Sequence, residues 1–462
     1  MSRPNSFLSS IINVDEPAGV LSRSDAEALS KRVLAFAKAD ETRVMINSDA
    51  RANTRFAVNQ VSTAGDDVDT TITIRSAFGK RSASVTTNKT DDATLAAAVK
   101  SAEDLAKLSP EDPEAMPELG PQSYTSGVTA QSLTLPTPAE RAAAVKAVTD
   151  RARAAGFVAT GYIEAQVGTR AIANSRGLFG FDQTGGANMT ATVRTPDGTG
   201  SGWGGANANT WAGIDADAVG ATAAQKAAAS RNPVAVEPGR YTVVLEPTAV
   251  GNLIPLIAFS AQARAADEGR SFFSKPGGGN KIGMKVVDER VTLLSDPEEN
   301  LGTSYDFEGL PTRKVVWIEN GVLKNLNYDR YWAQKNNVQP TSAPRSALSM
   351  SGGNSSIAQM IASTERGILV TRFWYIRPVD PRTILFTGLT RDGTFLIENG
   401  KVTHAVKNFR YNESPIFMLN NIEAMGTPVR VSASEDSSPG NAITMPPLKL
   451  RDFTFTSLSD AI

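Results

Sequence analysis

The sequence predicts an α+β fold, with an N-terminal domain of helices and strands and a C-terminal domain of mainly antiparallel β-sheet with few helices. In the first half, the order helix, several strands, helix occurs twice. In the second half, the letters IENG stand twice between apolar stretches, and Asn-Gly is the strongest two-residue hairpin signal. We place the boundary near residue 235, giving domains at 1–235 and 236–462.

The first repeated unit is expected at about residues 22–108. SDAE (24–27) is a capping box with Ser24 as N-cap, and apolar residues follow it at helical spacing. Alternating patterns then predict four strands, and an Ala-rich helix ends the unit at 91–108. The strands are expected at TRVMINSD (42–49), TRFAVNQV (54–61), VDTTITIR (68–75) and RSASVTTN (81–88).

A Pro-rich linker at 109–136 leads into the second unit, at about 137–230. The helix start is signalled by Thr137 as N-cap, Pro138 at the first helical position and Glu140 two residues later. Strands are expected at FVATGYIEAQVG (157–168), GLFGFDQT (177–184) and NMTATVRT (188–195), followed by an Ala-rich helix at about 216–229.

Internal similarity supports a duplication of this unit. TAGDDVDTTITIR (63–75) resembles TGGANMTATVR (184–194) when a two-residue gap is allowed. Both segments occupy matching places in their units, so we predict that the two units are copies of one design.

The second half is predicted to be strand-rich after one helix at about 248–267. The IENG segments at 315–329 and 394–408 are interpreted as equivalent hairpins in one antiparallel sheet system. The second hairpin carries His404, the only histidine in the sequence. Strand alternation would place His404 on the same face as Val402 and Val406, and the matching residue of the other hairpin is Asn325. We interpret His404 as a strand residue.

Composition excludes several classes of function. The 462 residues include no cysteine, so disulfides, thiolate nucleophiles and cysteine-liganded metal centres are ruled out. The net charge of −1 provides no general attraction for nucleic acid or for an acidic membrane. No apolar run approaches the roughly 20 residues that span a bilayer. We therefore expect a cytoplasmic protein without nucleic-acid or membrane partners.

Three further patterns are interpreted as structural. GSGWGG (200–205) matches a nucleotide-binding pattern but is not followed directly by a helix, so we expect a Gly-rich hairpin loop. KPGGGNKIG (275–283) is expected to be a flexible loop. The adjacent carboxylates Asp267–Glu268, Asp288–Glu289 and Glu298–Glu299 point in different directions on a helix or strand and are expected to be solvated.

Six segments of the sequence are characteristic in their order and spacing, namely IANSRGLFGF (172–181), GRYTVVLEPTAVGNLI (239–254), GRSFF (269–273), TRKVVWIENGVLKNLNYDRYWAQK (312–335), GILVTRFWYIRPVDPRT (367–383) and FLIENGKVTHAVKNFRYNESPIFMLNNIEAMG (395–426). Through these segments the chain resembles the TldD/PmbA family over about residues 22–455. The resemblance implies a two-domain α+β protein associated with proteolysis of peptides or unstructured proteins.

Within that family, a catalytic kind of chain carries a His-Glu-x-x-x-His helix after the VVLEP-like strand, together with a late cysteine, and these residues bind zinc. The other kind lacks the ligands and pairs with the catalytic kind. Here the corresponding segment reads LIPLIAFSAQARAADEGRSFF (253–273), and no cysteine exists. The resemblance therefore implies no catalytic residue, cofactor or metal on this chain, with zinc only in a catalytic partner.

The leading hypothesis is a non-catalytic subunit that contributes a peptide cleft and a partner interface. We name Ser260, Gln262, Arg264, Arg270 and Ser271 as candidate cleft residues. An extended peptide could be held there by β-augmentation. The alternatives are a homo-oligomeric peptide-binding or scaffold protein, and an independent hydrolase that uses His404 or an oxygen-liganded metal.

Overall fold

The computed structural model describes residues 19–125, 134–299, 304–343, 347–431 and 442–459. The chain is a mixed α/β protein that is rich in strands, and its sheets are mainly antiparallel. No helix in these described ranges is long and apolar enough to cross a membrane.

One six-stranded antiparallel sheet, in the order β3-β2-β1-β4-β5-β6, dominates the N-terminal half. Along the chain, α1 precedes and α2 follows the first three strands, and α3 precedes and α4 follows the next three. The elements are α1 (Arg23–Phe36), β1 (Glu41–Ala57), β2 (Gln60–Phe78), β3 (Arg81–Thr87), α2 (Asp92–Leu108), α3 (Pro138–Ala154), β4 (Val158–Asn174), β5 (Phe179–Arg194), β6 (Ser201–Ala208), a 3₁₀ turn (Trp211–Gly213) and α4 (Ala216–Ala229).

Helix starts follow the capping signals closely. At α3, the Thr137 hydroxyl accepts a hydrogen bond from the Glu140 N–H at 3.2 Å, and the Glu140 carboxylate accepts one from the Thr137 N–H at 2.7 Å, so the predicted capping box is confirmed. At α1, the prediction was wrong by two residues. Ser22, and not Ser24, is the N-cap, because its hydroxyl accepts from the Asp25 N–H at 3.1 Å.

The predicted strand boundaries need correction. Residues 42–61, expected as two strands, form the single strand β1 up to a turn at Val58 and Asn59, whose φ angles are 52° and 61°. Valine rarely adopts the left-handed region, so the residue types at 58 and 59 do not predict this turn. The two strands expected at 177–184 and 188–195 are likewise one strand, β5, which runs through Gly185 and Gly186.

In the segment GSGWGG, residues 201–205 are a strand and not the expected loop. They form the start of β6, which packs on α4 with exceptionally close backbones. A Cβ atom added to Gly202 would lie 2.2 Å from the Ala223 carbonyl oxygen, and one added to Gly204 would lie 2.4 Å from that of Val219. Glycine at alternate strand positions therefore lets one helix approach the sheet where any side chain would clash.

Two sheets build the C-terminal half. The elements are β7 (Gly239–Leu245), α5 (Pro247–Leu253), α6 (Pro255–Ser260), α7 (Ala263–Asp267), β8 (Leu293–Ser295), a 3₁₀ turn (Pro297–Glu299), β9 (Val315–Glu319), β10 (Val322–Leu323), α8 (Arg330–Lys335), β11 (Ala347–Met350), α9 (Ile357–Ala362), β12 (Arg366–Asp380), β13 (Leu385–Glu398), β14 (Lys401–Ala405), β15 (Asn408–Glu413), α10 (Pro415–Asn420), β16 (Ile422–Met425), β17 (Val429–Val431), β18 (Ala442–Met445) and β19 (Leu448–Ser459).

The seven-stranded sheet closes on itself. Its order is β12-β7-β19-β15-β13-β14, with β16 attached to β19, and β12 also pairs with β13. Strands β7, β12, β13, β15 and β19 thus form a continuous ring. Buried aromatic side chains fill it, including Phe373, Phe409, Tyr411, Phe453 and Phe455. The other sheet has the order β10-β9-β8-β11-β18-β17.

The single helix expected at 248–267 is broken into α5, α6 and α7. Pro255 has no N–H to continue the helical hydrogen bonds of α5. At Ala261 the backbone leaves the helical region with ψ of 49°, and Gln262 then pairs as an isolated bridge with Asn327. This break brings the segment against the loop that precedes α8.

Both Asn-Gly turns form as predicted. Asn320 and Gly321 have φ angles of 48° and 78°, and Asn399 and Gly400 have 50° and 76°. The expectation that the two hairpins share one sheet system was wrong, because β9–β10 and β13–β14 belong to different sheets.

His404 is an exposed strand residue, paired with Leu396. The expected alternation fails, because a register shift in the β13–β14 pair separates the Val402 and His404 pairings. Val402 is exposed, while Val406 is buried. His404 therefore does not share one face with both valines.

Candidate functional site

A cavity of about 270 Å³ lies where the N-terminal sheet, the Pro-rich linker and the C-terminal half meet. Each of the three parts contributes charged side chains to it. The lining residues are Arg43 and Arg75 from β1 and β2, Asp112, Glu114, Ala115, Met116 and Glu118 from the linker, and Phe307, Glu308, Asp329, Arg330 and Tyr331 from the C-terminal half. Pockets at such junctions are common positions for ligand sites.

Glu118 is the centre of the cavity's ionic network. Its carboxylate accepts a hydrogen bond from Arg75 at 3.0 Å and lies 3.5 Å from Arg43. The Glu118 side chain is only 2% exposed, so the two guanidinium groups replace its hydration. Arg330 lies 3.4 Å from Glu308 and donates to the Pro117 carbonyl at 2.6 Å. The linker is therefore held from both sides by arginine side chains.

The electrostatic environment reflects this burial. Burial lowers the pKa of the Arg43 guanidinium, Glu118 opposes that change, and the neighbouring Arg75 lowers the pKa further. Burial raises the pKa of the Glu308 carboxyl, with the Arg330 charge acting against it. Arginine remains protonated at neutral pH despite such a shift, so the cavity keeps fixed positive charge.

Two of the predicted cleft residues lie near this cavity, Arg264 by direct contact with a lining residue and Gln262 by contact with a residue close in sequence to one. The Arg264 guanidinium donates to Glu114, a lining residue, at 2.7 Å, and it stacks 5.2 Å from the centre of the Trp332 ring. The Gln262 side-chain oxygen accepts from Asn327 at 3.0 Å, two residues before the lining residue Asp329. The break in the predicted helix places Gln262 against Asn327, and Arg264 then contacts the lining residue Glu114.

The structure does not join the other three candidates to the cavity wall by a direct contact. Ser260 ends α6, and its carbonyl accepts from the Gln262 N–H at 2.8 Å. Arg270 pairs with Glu268, the residue that Arg264 also contacts. Ser271 is buried, and its hydroxyl accepts from the Phe273 N–H at 3.2 Å. Their assignment to a peptide cleft stays a prediction.

Sequence reasoning missed the cavity's charged residues. Arg43, Arg75 and Glu118 stood in segments interpreted only as strands and linker. Glu118 lies in the Pro-rich segment that was interpreted as a linker, and its local sequence does not mark it as buried. Its partners lie 43 and 75 residues away, and no local spacing relates them.

A second cavity, of about 440 Å³, lies between β5–β6, the end of α4 and the closed sheet. At its floor Asp392 accepts hydrogen bonds from the Ser201 hydroxyl at 2.6 Å and from the Arg372 Nε at 3.0 Å. The side chains of Arg372 and Asp392 are each 1% exposed. Asp392 has φ of 53°, so its backbone lies in the left-handed region. This network couples the two halves of the chain.

Comparison with known proteins identifies the class as a metallopeptidase-family α/β protein. Three family profiles match, described as PmbA/TldA metallopeptidase domain 1 over residues 44–106, the central domain over 132–231, and the C-terminal domain over 238–457. The chain belongs to the PmbA/TldD family.

Curated relatives share part of the sequence. A metalloprotease of Methanothermobacter thermautotrophicus is 25% identical over 224 residues, which are 44% of this chain and 47% of the relative. A TldD homologue of Buchnera aphidicola, also named a metalloprotease, is 28% identical over 196 residues, 38% of this chain and 40% of the relative. The chain thus spans a little under half of the length of the curated relatives it matches.

Solved structures share the fold over almost the whole chain. TldE from Thermococcus kodakarensis superposes with a TM-score of 0.79 at 21% identity, covering 93% of this chain and 99% of that one. A Thermotoga maritima protein described as a candidate modulator of a DNA gyrase gives a TM-score of 0.79 at 19% identity, covering 93% and 100%. At these identities the likeness establishes the fold.

The zinc centre of the family's catalytic kind does not fit the residues of this chain. The sequence has no cysteine, and its one histidine is exposed on β14, apart from the α5–α7 segment. Within that segment Ser260, Gln262 and Arg264 are not usual zinc ligands, and the one carboxylate, Asp267, accepts hydrogen bonds from the Asn280 amide and the Trp332 indole, each at 2.7 Å. Among the residues that the structure describes, no group of three or more His, Cys, Asp or Glu side chains could hold a metal ion.

Proposed function

We propose that this protein is a non-catalytic subunit of a cytoplasmic TldD/PmbA-type metallopeptidase complex that acts on peptides or unstructured proteins. The observation that carries the proposal is the donor set. A family whose catalytic chemistry needs zinc is here represented by a chain with one exposed histidine and no cysteine. The likeness to TldE supports a partnership with a TldD-like chain, which would hold the zinc.

The subunit's contribution is a cleft and a partner surface. The interdomain cavity and the nearby Gln262 and Arg264 supply polar groups at a junction that an extended peptide could enter. We also propose that residues 22–108 and 137–230 are duplicated units, since helix, three strands and helix recur in both. The similar segments noted in the sequence fall in β2 and β5, the second strand of each unit.

The proposal is tested with the purified full-length chain and a family member that carries the His-Glu-x-x-x-His helix. We expect zinc below stoichiometric amounts and no peptide cleavage from this chain alone, and a mixed complex by native mass spectrometry. Chelator-insensitive cleavage by the single chain would overturn the proposal. A stable homo-oligomer that ignores the catalytic chain would instead favour a peptide-binding scaffold.

A further inference from the structure

The charged groups that line the cavity divide by burial into an inner set, whose side chains are less than a quarter exposed, and an outer, more exposed set; the inner set carries more positive than negative charge. Three guanidinium groups face two carboxylates there, which leaves one positive charge unbalanced. The five residues are Arg43, Arg75, Arg330, Glu118 and Glu308. Because these groups are largely shielded from water, the imbalance is screened less than it would be on an open surface.

Arg43 is the member with spare hydrogen-bonding capacity. Within the described residues its guanidinium makes one ion pair, with Glu118, and at 3.5 Å that contact is long. A guanidinium offers five N–H donors in a planar fork. Arg43 lines the cavity, and its side chain is 13% exposed. The remaining donors can therefore bind an acceptor that enters the cavity, and a carboxylate matches their geometry best.

The outer lining restricts what kind of anion fits. Glu114 is paired with Arg264, Asp112 accepts from the Glu114 N–H at 2.9 Å, and Asp329 accepts from the Trp332 N–H at 2.6 Å. The outer groups carry a net negative charge, because three carboxylates are offset by only one guanidinium group, that of Arg264. They disfavour a ligand that is anionic throughout, such as inorganic phosphate. They are compatible with a single carboxylate at the end of a neutral or cationic chain.

The walls and size of the cavity suit the end of a peptide. Phe307, which is 64% exposed, and Tyr331 and Met116 supply apolar surface beside the arginine groups. The volume of about 270 Å³ is below the range that encloses most whole ligands. A terminal residue can fill it while the preceding residues extend out of the cavity.

We propose that Arg43, assisted by Arg75 and Arg330, binds the C-terminal carboxylate of a peptide in this cavity, and that Glu118 is the internal counter-ion which the peptide carboxylate partly replaces. This inference rests on the proposed function in one respect, namely that peptides are the molecules brought to the cleft. It also fixes the direction of the bound peptide, because the peptide C-terminus would point into the junction between linker and sheet.

The test uses the full chain alone and a tetra-alanine peptide with a neutral fluorophore on its N-terminus, followed by fluorescence polarisation. The free acid should bind at least about tenfold more tightly than the C-terminal amide, since one charge-assisted hydrogen-bonded contact is lost. Unlabelled tetra-alanine should displace the probe, and inorganic phosphate at the same concentration should not. If the wild-type protein binds the acid and the amide equally well, that result alone overturns the proposal.

Variants locate the effect. Arg43→Met should remove the preference for the acid, Arg43→Lys should retain part of it, and Arg81→Met, at an exposed ion pair with Glu111, should leave it intact. Glu118→Gln should strengthen binding of the acid because it removes the competing carboxylate. Weaker binding in a Glu118→Gln protein that melts like wild type would contradict the counter-ion role.

The outcome is separable from that of the proposed function. If the wild-type chain shows no preference for the free acid, this site is refuted, while complex formation with a catalytic chain is unaffected. Conversely, acid-specific binding without any complex keeps the site and refutes the subunit role.

Discussion

Replacement of Gly202 by alanine tests the close packing of β6 on α4. The added methyl group would lie 2.2 Å from the Ala223 carbonyl oxygen, 2.3 Å from the Ala227 nitrogen and 2.7 Å from the Lys226 Cβ. Ordinary contacts at such atoms begin at 3.4 Å, so helix and strand must separate by roughly 1 Å. The obstructing atoms are mainly backbone and cannot move aside as a flexible side chain would.

Overpacking of this kind costs about 1–3 kcal/mol of unfolding free energy, and more when backbone must shift. For a cooperative folding unit of about 150–250 residues, this cost corresponds to a fall in the melting temperature of about 3–10 °C, measured by differential scanning fluorimetry. Gly65→Ala is the matched control, because Gly65 also lies in a strand of the same sheet and its added Cβ would meet only Asn53, at 3.7 Å. If the two variants melt within about 2 °C of each other, the packing argument is wrong.

Three further predictions concern charge and the lone histidine. Asp392→Asn should lower the unfolding free energy by about 3 kcal/mol or more, because it leaves Arg372 buried opposite a neutral group, and a change below about 1 kcal/mol in denaturant titrations would contradict this. Burial raises the pKa of the Glu164 carboxyl, Arg51 opposes this and Asp67 adds to it. Ionisation of Glu164 therefore lowers the stability of the folded protein as pH rises above the pKa of this carboxyl in the unfolded chain. Glu164→Gln should raise the melting temperature at pH 7 but not at pH 4, and equal shifts at both pH values would refute this assignment. His404→Ala should change the unfolding free energy by less than about 0.5 kcal/mol and leave peptide binding unchanged, and a loss of binding would restore a functional role for this exposed side chain.

Local signals predicted what depends on neighbouring residues. The Thr137 capping box and the two Asn-Gly turns form as expected, because each is completed within a few residues. The α+β class followed from the same kind of evidence. The turn at Val58 and Asn59 escaped prediction because it uses a residue that seldom adopts positive φ.

Features that depend on distant partners were less accessible. Gly202 and Gly204 resemble a loop sequence until Ala223 and Val219 are known to lie against them. The local signal for this packing is glycine at alternate positions in a segment that is followed by an Ala-rich helix. The Arg43–Glu118 contact joins residues 75 positions apart, and neither residue has a local partner that would reveal it.

The family resemblance compensated for part of this gap. It predicted the family and the fold, whereas composition alone could only exclude cysteine chemistry. The cavity between linker and sheet depends on long-range contacts, and the contact of Arg264 with Glu114 depends on the breaks of the predicted helix at Pro255 and Ala261.

The most direct test of the subunit role is the rate at which a zinc-binding family member cleaves an unfolded peptide as this chain is added. We expect the rate to rise and to saturate at a fixed molar ratio, with all zinc in the catalytic chain and all activity lost to a chelator. An unchanged rate at every ratio, with no complex by native mass spectrometry, would contradict the account.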